Sequence, residues 1–362
     1  MVTEAGVVDG LHLAAKEQLV ALLGHNTGNV AFQQVLPRHI QGHLEYTAWS
    51  DAPGPIREQF DLLVVPEASV MADGKDFGWK ADFVEQVDLP VVVIGVGFQD
   101  GAGGRDPNPP IGTARYLRAL AARTTLLGAR GERSAAILRR LGIRNTLVTG
   151  CPSLFWNEDP FLGQVIEKRL AETPSGMKPL VVEGPRKRAL AGVHGRLRNW
   201  VLRRSGSWVV QSGEGLRRAI DGEPLYVPWH SLVGRALIAR QRSMITATYF
   251  VRAVDWIAQA ARYDVCVAPR IHGSLLATQA GTPALCIAHD GRTLELATTC
   301  ALSIAKPGDV MRSRSPERLV RDLGFDGRAF DSRRHELAEA YGSVLREAGL
   351  QPADFLTSIA SG

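Results

Sequence analysis

The residue types best suited to chemistry stand together in Arg270-Ile271-His272-Gly273-Ser274. The apolar run 264–268 before them reads as a buried strand that Pro269 ends. Arg270 and His272 then alternate, which puts them on one side if the chain is extended there. A guanidinium beside a titratable imidazole can both hold an anion and move a proton. Gly273 would admit a substrate to the N-terminus of a small-residue helix over 274–280 that begins with Ser274. A structural histidine satisfied by its neighbours is the plainer reading of His272, and the arginine context favours function.

Other turns carry polar groups at strand ends. Gly24-His25-Asn26-Thr27-Gly28-Asn29 has small residues that let backbone approach a ligand, with His25 and Asn26 at its tip; an ordinary tight turn is the alternative. Gly95-Val96-Gly97-Phe98-Gln99 resembles a dinucleotide finger, but its third glycine, Gly101, comes one residue late and no helix follows directly. It reads instead as a ligand-facing loop with Gln99 as a polar contact. Arg130, four residues before Ser134, lies between a strand and a helix N-terminus, a setting for carboxylate or phosphate, or for a helix cap, or for both. Asp290 and Arg292 could position a hydroxylated substrate or pair with each other. Cys151 has no histidine near it in sequence, so packing is the better account of its thiol. No HExxH, Asp-x-Asp or Cys/His cluster suggests a metal, and no Walker A loop is present.

These turns need strands and helices to hold them. Strands are expected over 18–23, 44–49, 62–65, 89–96, 125–129 and 146–149, with helices over 30–39, 79–86, 114–122 and 132–141. The second half repeats the pattern: strands over 180–183, 207–211, 264–268 and 284–288, a helix over 253–261, a loop from 270 leading into the helix over 274–280, and a closing amphipathic helix over 336–347. Alternating units of this kind make parallel sheets with right-handed crossovers. The expected architecture is α/β, with two Rossmann-like domains facing a cleft: 1–157, a linker over 158–178, 179–330, and a C-terminal helix and tail over 331–362. A length of 362 residues exceeds what one core usually serves, which supports two domains.

The composition, 45% hydrophobic and 22% charged, is that of a globular chain, and no apolar run reaches the length of a bilayer span. The N-terminus lacks the basic-then-apolar layout of a signal peptide, and the four cysteines show no framework spacing; a cytoplasmic protein with reduced thiols is expected. Charge is uneven: residues 1–160 hold 14 Lys+Arg against 18 Asp+Glu, and 161–362 hold 28 against 19. The excess concentrates in 180–245, with 12 basic and 4 acidic residues. An anionic partner for the second half, or an arginine-rich solvated face, would explain it.

Taken in order, Asn26-Thr27-Gly28-Asn29, Gly95-Val96-Gly97-Phe98-Gln99, Arg130 with Ser134, Gly150-Cys151-Pro152-Ser153, Arg270-Ile271-His272-Gly273 and Gly281-Thr282-Pro283 resemble the polysaccharide pyruvyltransferase family. Trp256 also fits, and the likeness spans about residues 18–305. Asn29 departs from it, since many relatives carry an acidic residue there. The resemblance implies a fold like the GT-B glycosyltransferases and transfer of pyruvate from phosphoenolpyruvate to a sugar as a cyclic ketal. It implies catalytic roles for His272 and Arg270, donor binding by Arg130, and no required cofactor beyond phosphoenolpyruvate as co-substrate. Ser134, His25, Asn26, Gly28, Asn29, Gln99, Gly273, Ser274, Asp290 and Arg292 complete the expected substrate-binding set. The residue types agree with this, because ketal transfer needs a proton donor, a base and two anion clamps.

Two other readings stay open from sequence. A metal-independent glycosyltransferase of the same fold would also need cationic side chains for a diphosphate leaving group. A non-catalytic binder of anionic glycans would use the arginine-rich half. No nucleic-acid module accompanies the basic stretch, so nucleic acid is not an expected partner. Residues 186–208, with Trp200, Val201 and Leu202 among arginines, could instead touch the inner face of the cytoplasmic membrane, which would suit a lipid-linked saccharide acceptor. A homo-oligomer is compatible with the sequence.

Overall fold

The valine-rich run 91–96 is buried on every residue, as a strand covered on both faces requires. It is the second strand of a four-stranded parallel sheet with neighbours in chain order: β1 (Leu63–Pro66), β2 (Val91–Val96), β3 (Leu127–Ala129) and β4 (Thr146–Val148). A second parallel sheet follows, built from β5 (Pro179–Val182), β6 (Ser207–Val209), β7 (Ala247–Thr248), β8 (Val265–Ala268), β9 (Ala284–Ile287) and β10 (Ser303–Ala305). Its spatial order is β7-β6-β5-β8-β9-β10. The order reverses between β5 and β8, and such a reversal opens a crevice at the strands' carboxyl ends. These features belong to a computed structural model that describes residues 1–3, 10–173, 176–185, 187, 190–223 and 247–362.

The helices that matter for the cleft are α1 (Lys16–Leu22), α2 (Val30–Gln33), α3 (Glu132–Arg140), α4 (Leu162–Glu172), α5 (Ala191–Arg203), α6 (Ile271–Gln279), α7 (Gly291–Thr299), α8 (Pro307–Arg312), α9 (Pro316–Leu323) and α10 (Gly327–Glu347). Three sequence expectations change. The run 18–23 lies mostly within a helix, because only Leu19 and Leu23, four apart, are buried there; a short apolar run does not distinguish the two periods. The expected strand over 44–49 reduces to Thr47–Ala48. The expected helix over 30–39 is two short turns, α2 and Leu36–His39, with Pro37 in the first turn of the second.

Both chain ends cross between the halves. Leu19, Val30, Ala31 and Val35 pack with Leu180, Val182 and Ala277 of the second sheet and its helices. Conversely, Leu337, Tyr341 and Leu345 of α10 pack with Val92 and Ile94 of the first sheet. Asp326 caps α10 by accepting from the Ala329 N–H at 2.9 Å, so this helix starts well before the expected 336. Buried Arg334 on α10 donates to the carbonyls of Leu154, Asn157 and Asp159, fixing the chain between the domains. The result is an α/β protein with two parallel-sheet, Rossmann-like halves, as expected.

Candidate active site

Strand β8 delivers Arg270 to the point where the second sheet reverses its order. There Arg270 Nε donates to the Glu183 carbonyl beyond β5 (3.0 Å), and Nη2 donates to Ser212 Oγ beyond β6 (2.6 Å). Helix α6 begins at Ile271, earlier than the sequence suggests, so Arg270 is its N-cap position and His272 and Gly273 lie inside its first turn. Alternation along an extended chain therefore does not relate Arg270 to His272. Gly273 serves packing here: an added Cβ would sit 2.6 Å from Val182 Cγ2. Ser274 is fully buried, and its hydroxyl donates to the Leu285 carbonyl at 3.3 Å. Neither Gly273 nor Ser274 faces the cleft as a ligand contact would.

His272 is surrounded by parts of both halves. Its Nε2 lies 3.9 Å from Cys151 Sγ, which contacts Ser153 Oγ at 3.0 Å. Its ring is 5.6 Å from the Phe32 ring on α2. On the Nδ1 side Gly28 closes in: a Cβ there would stand 2.9 Å from His272 Nδ1 and 2.5 Å from Gln211 Nε2. Asn26 holds that turn by accepting from the Gly28 N–H at 2.9 Å and bridging to Ser212. Only a glycine at position 28 leaves the imidazole this space.

The charges around His272 are all positive. Burial first, then the fields of Arg130, Arg292 and Arg270, hold the imidazole well below its ordinary pKa, so it is neutral in the free protein. Burial, with Arg292 adding to it, likewise pulls Arg270 down to about 10 despite Glu183 and Asp290. Arg130 is lowered too, by burial above all. A guanidinium does not deprotonate at ordinary pH, so these depressions mark cations that lack full compensation. Arg130 has no carboxylate partner among the described residues; Nη2 reaches the Glu67 carbonyl at 3.5 Å, and Nε has no acceptor. Its guanidinium lies 5.5 Å from the Phe32 ring centroid. Arg292 is held only loosely by Asp290, at 3.9 Å.

Two glycines make room for Arg130. Gly95 has φ 79°, a left-handed conformation inside β2 that coincides with a register shift against β3. Gly97 would place a Cβ 2.9 Å from Arg130 Cδ. The loop after β2 thus seats an arginine, while Gln99 at its end is exposed and is fixed through its backbone N–H to Met71 (2.8 Å).

Several expected contacts are engaged elsewhere. Ser134 donates from its backbone N–H (2.6 Å) and hydroxyl (2.8 Å) to Glu295 of α7. Asp100 in turn accepts from the Gly291 N–H at the start of α7 (2.5 Å) and pairs with Arg133 (3.1 Å). Each domain therefore caps a helix of the other, and this pair of caps closes one side of the cleft. Burial would raise the Asp290 carboxyl, but His289, Arg292, Lys187 and Thr293 together hold it far below the usual range, as a hub of the α7 N-terminus. His25 is exposed and lines a surface hollow with Lys16 and Arg217, apart from His272. Asn29 donates to the Leu23 carbonyl (3.0 Å), tying the end of α1.

The cleft therefore assembles Gly28, Arg130, Arg270, His272 and Arg292, with Asn26 behind them. It adds Gln211, Cys151 and Phe32, none of which the sequence singles out as a site residue. Gln211 is buried with its Oε1 unpartnered. Its signal was its position just past the carboxyl end of β6. Among the described residues no group of three or more His, Cys, Asp or Glu stands close enough to hold a metal ion. A neutral imidazole ringed by three guanidiniums can take up a proton when an anion neutralises them.

Two parallel-sheet domains with a cationic site at their junction define an α/β protein built to hold an anion. The chain belongs to the polysaccharide pyruvyl transferase family, whose sequence model it matches over residues 26–291. It is therefore a transferase of polysaccharide biosynthesis. Comparison with curated proteins finds no match. Among solved structures it is similar to an S. aureus MnaA–UDP complex, at 13% identity and TM-score 0.44, with 98% of this chain and 97% of that one covered. It is also similar to Methanocaldococcus jannaschii UDP-GlcNAc 2-epimerase (9% identity, TM-score 0.41, 87% and 82% covered). A third similarity is to the glycosyltransferase SnogD from Streptomyces nogalater (14%, TM-score 0.32, 98% and 81%).

Proposed function

We propose that the protein transfers pyruvate from phosphoenolpyruvate to two hydroxyls of a saccharide, forming a cyclic ketal and releasing phosphate. The observation that carries this reading is the set of three arginines around His272, of which Arg130 and Arg270 have no carboxylate ion pair among the described residues and Arg292 only a long one to Asp290 (3.9 Å). Phosphoenolpyruvate offers two anionic groups to such a set, a carboxylate and a phosphate. Arg270 and Arg130 hold them, with Arg292 at the α7 N-terminus adding to the field.

The balance of the reaction fits one proton-moving group. C3 of the enol gains a proton, C2 becomes electrophilic, and one sugar hydroxyl adds there. The C2–O bond to phosphate breaks, and a second hydroxyl closes the ring. Two hydroxyl protons are released; one equals that taken by C3 and the other that taken by the departing phosphate. His272, neutral before the donor binds, gains proton affinity once the donor's charge offsets the guanidiniums, and then shuttles between hydroxyl and donor. Cys151 and Gly28 fix its ring from opposite sides, so they are positioning residues.

The test is incubation with phosphoenolpyruvate and a panel of saccharides, following phosphate release and product mass. A saccharide-dependent release of phosphate with a ketal product is expected. Release of UDP or GDP from a sugar nucleotide instead would replace this reading with glycosyl transfer. His272→Ala is expected to lower kcat by about 10²–10⁴; near-normal turnover in a folded variant would remove the assignment.

A further inference from the structure

The basic stretch of the second domain is not part of the cleft. Helix α5 packs on the far side of the second sheet with α8 and α9, around a core that includes Val193, Trp200, Val201, Val310 and Leu319. The expectation of apolar insertion through Trp200 and Val201 does not hold, since both are buried; only Leu202 of that trio is exposed. Arg186 and Arg188 lie outside the described residues.

What α5 does present is a cavity of about 400 Å³ against the segment joining α8 to α9. Gly192, Gly195, Arg196, Asn199 and Arg203 recur at spacings of three, four, seven and eleven, so they share one helix face. Nothing stands within 4 Å of the Cβ that Gly195 lacks, which opens the floor of the cavity. Four arginines line it: Arg196, Arg203, Arg204 and Arg314, and no acidic residue does. Arg204 is paired with Glu317 at 3.0 Å, and Arg196 donates to the Met311 carbonyl at 2.8 Å. Arg203 and Arg314 have no ion pair or hydrogen bond among the described residues.

Residues 191–204 and 306–323 together carry nine basic and three acidic residues, a net charge of +6, with Arg198 alone of the basic ones buried against the sheet. Like charges gathered in a concavity raise the local potential more than the same charges on a flat surface. The planar guanidinium matches a phosphate's oxygens in pairs. At the same face Leu202 and Met311 are 45% and 43% exposed, a combination of cation and apolar side chain suited to a lipid–water interface.

We propose that this cavity binds the phosphate of an anionic lipid headgroup and so holds the outer face of the second domain against a membrane. The helices carry no membrane span among the described residues, so the contact is peripheral. It lies apart from His272 and does not depend on the transfer reaction.

The test is cosedimentation of the full chain with vesicles of phosphatidylcholine alone and of phosphatidylcholine with phosphatidylglycerol, for the wild type and the double variant Arg203→Gln/Arg314→Gln. Binding to the phosphatidylglycerol vesicles only is expected, with affinity about tenfold lower in the variant. Unchanged melting temperature, and unchanged phosphate release with phosphoenolpyruvate and a free saccharide, would assign the loss to the cavity. Equal binding by wild type and variant, or none by the wild type, would overturn the proposal. Titration with inorganic pyrophosphate separates the sources: heat lost in the variant without any vesicle binding would mean a soluble phosphate and would overturn the lipid assignment. Failure of pyruvyl transfer itself would overturn the proposed function and leave this test standing.

Discussion

Arginine supplies 35 of the 42 basic residues, yet it behaves differently in two neighbouring regions. On the first domain's outer rim guanidiniums find carboxylates: Arg115 pairs with Asp82 and Glu85, Arg123 with Asp88, and Arg140 with Asp106. In the cleft, buried Arg130 and half-buried Arg270 donate only to carbonyls or a hydroxyl. The rim pairs are exposed, screened and worth little individually. The cleft arginines bear the cost of desolvation without a carboxylate in direct contact, and the more distant Glu67 and Glu295, or Glu183 and Asp290, offset it only in part. An uncompensated cation beside a neutral histidine marks a site that awaits a charged ligand, whereas a compensated one marks scaffold.

The largest contrast should appear in kinetics. Arg270→Met or Arg130→Met is expected to lower kcat/KM for phosphoenolpyruvate by about 10³ or more, because each removes a clamp on developing charge. Saturation kinetics of phosphate release would measure it, and a loss under tenfold would erase the distinction from the rim. Gly28→Ala comes next. Its methyl would crowd His272 Nδ1 and Gln211 Nε2, both side-chain ends, so a fall of about 10² in kcat/KM with little change in melting temperature is expected.

Acid sensitivity should follow. The folded pKa of His272 lies below its unfolded value of 6.5, so its contribution to stability is present above that pH and lost as pH falls through it. Denaturation across this range should show the wild type losing more stability than His272→Asn, and added phosphate should narrow the gap. Identical pH profiles would mean that His272 is not held neutral. The smallest effect belongs to the rim: Arg140→Ala is expected to cost less than about 1 kcal/mol and leave turnover unchanged. Urea denaturation and the same phosphate assay would check both.

Much of this was legible in the sequence because strand and helix periods are local. The buried runs at 91–96 and 265–268, the alternating architecture and the Arg-x-His turn all follow from residue types in order. What was not legible depends on contacts between distant segments. Cys151 has no histidine near it in sequence, and the fold sets it beside His272, 121 residues away. Ser134 looked available for substrate, but it is met by Glu295, 161 residues on. The crossing of both chain ends between domains likewise leaves no local signature, since an apolar helix face does not state which sheet it covers.

The cleft arginines and His272 act together as an anion site for the donor in this proposal. Calorimetric titration of phosphoenolpyruvate into the wild type and Arg270→Met, repeated in buffers of different ionisation enthalpy, addresses it most directly. Binding by the wild type with proton uptake, as His272 becomes protonated, and affinity at least about tenfold weaker in the variant, are predicted. Equal affinity in both proteins, with no proton linkage, would mean that Arg270 and His272 do not bind the donor.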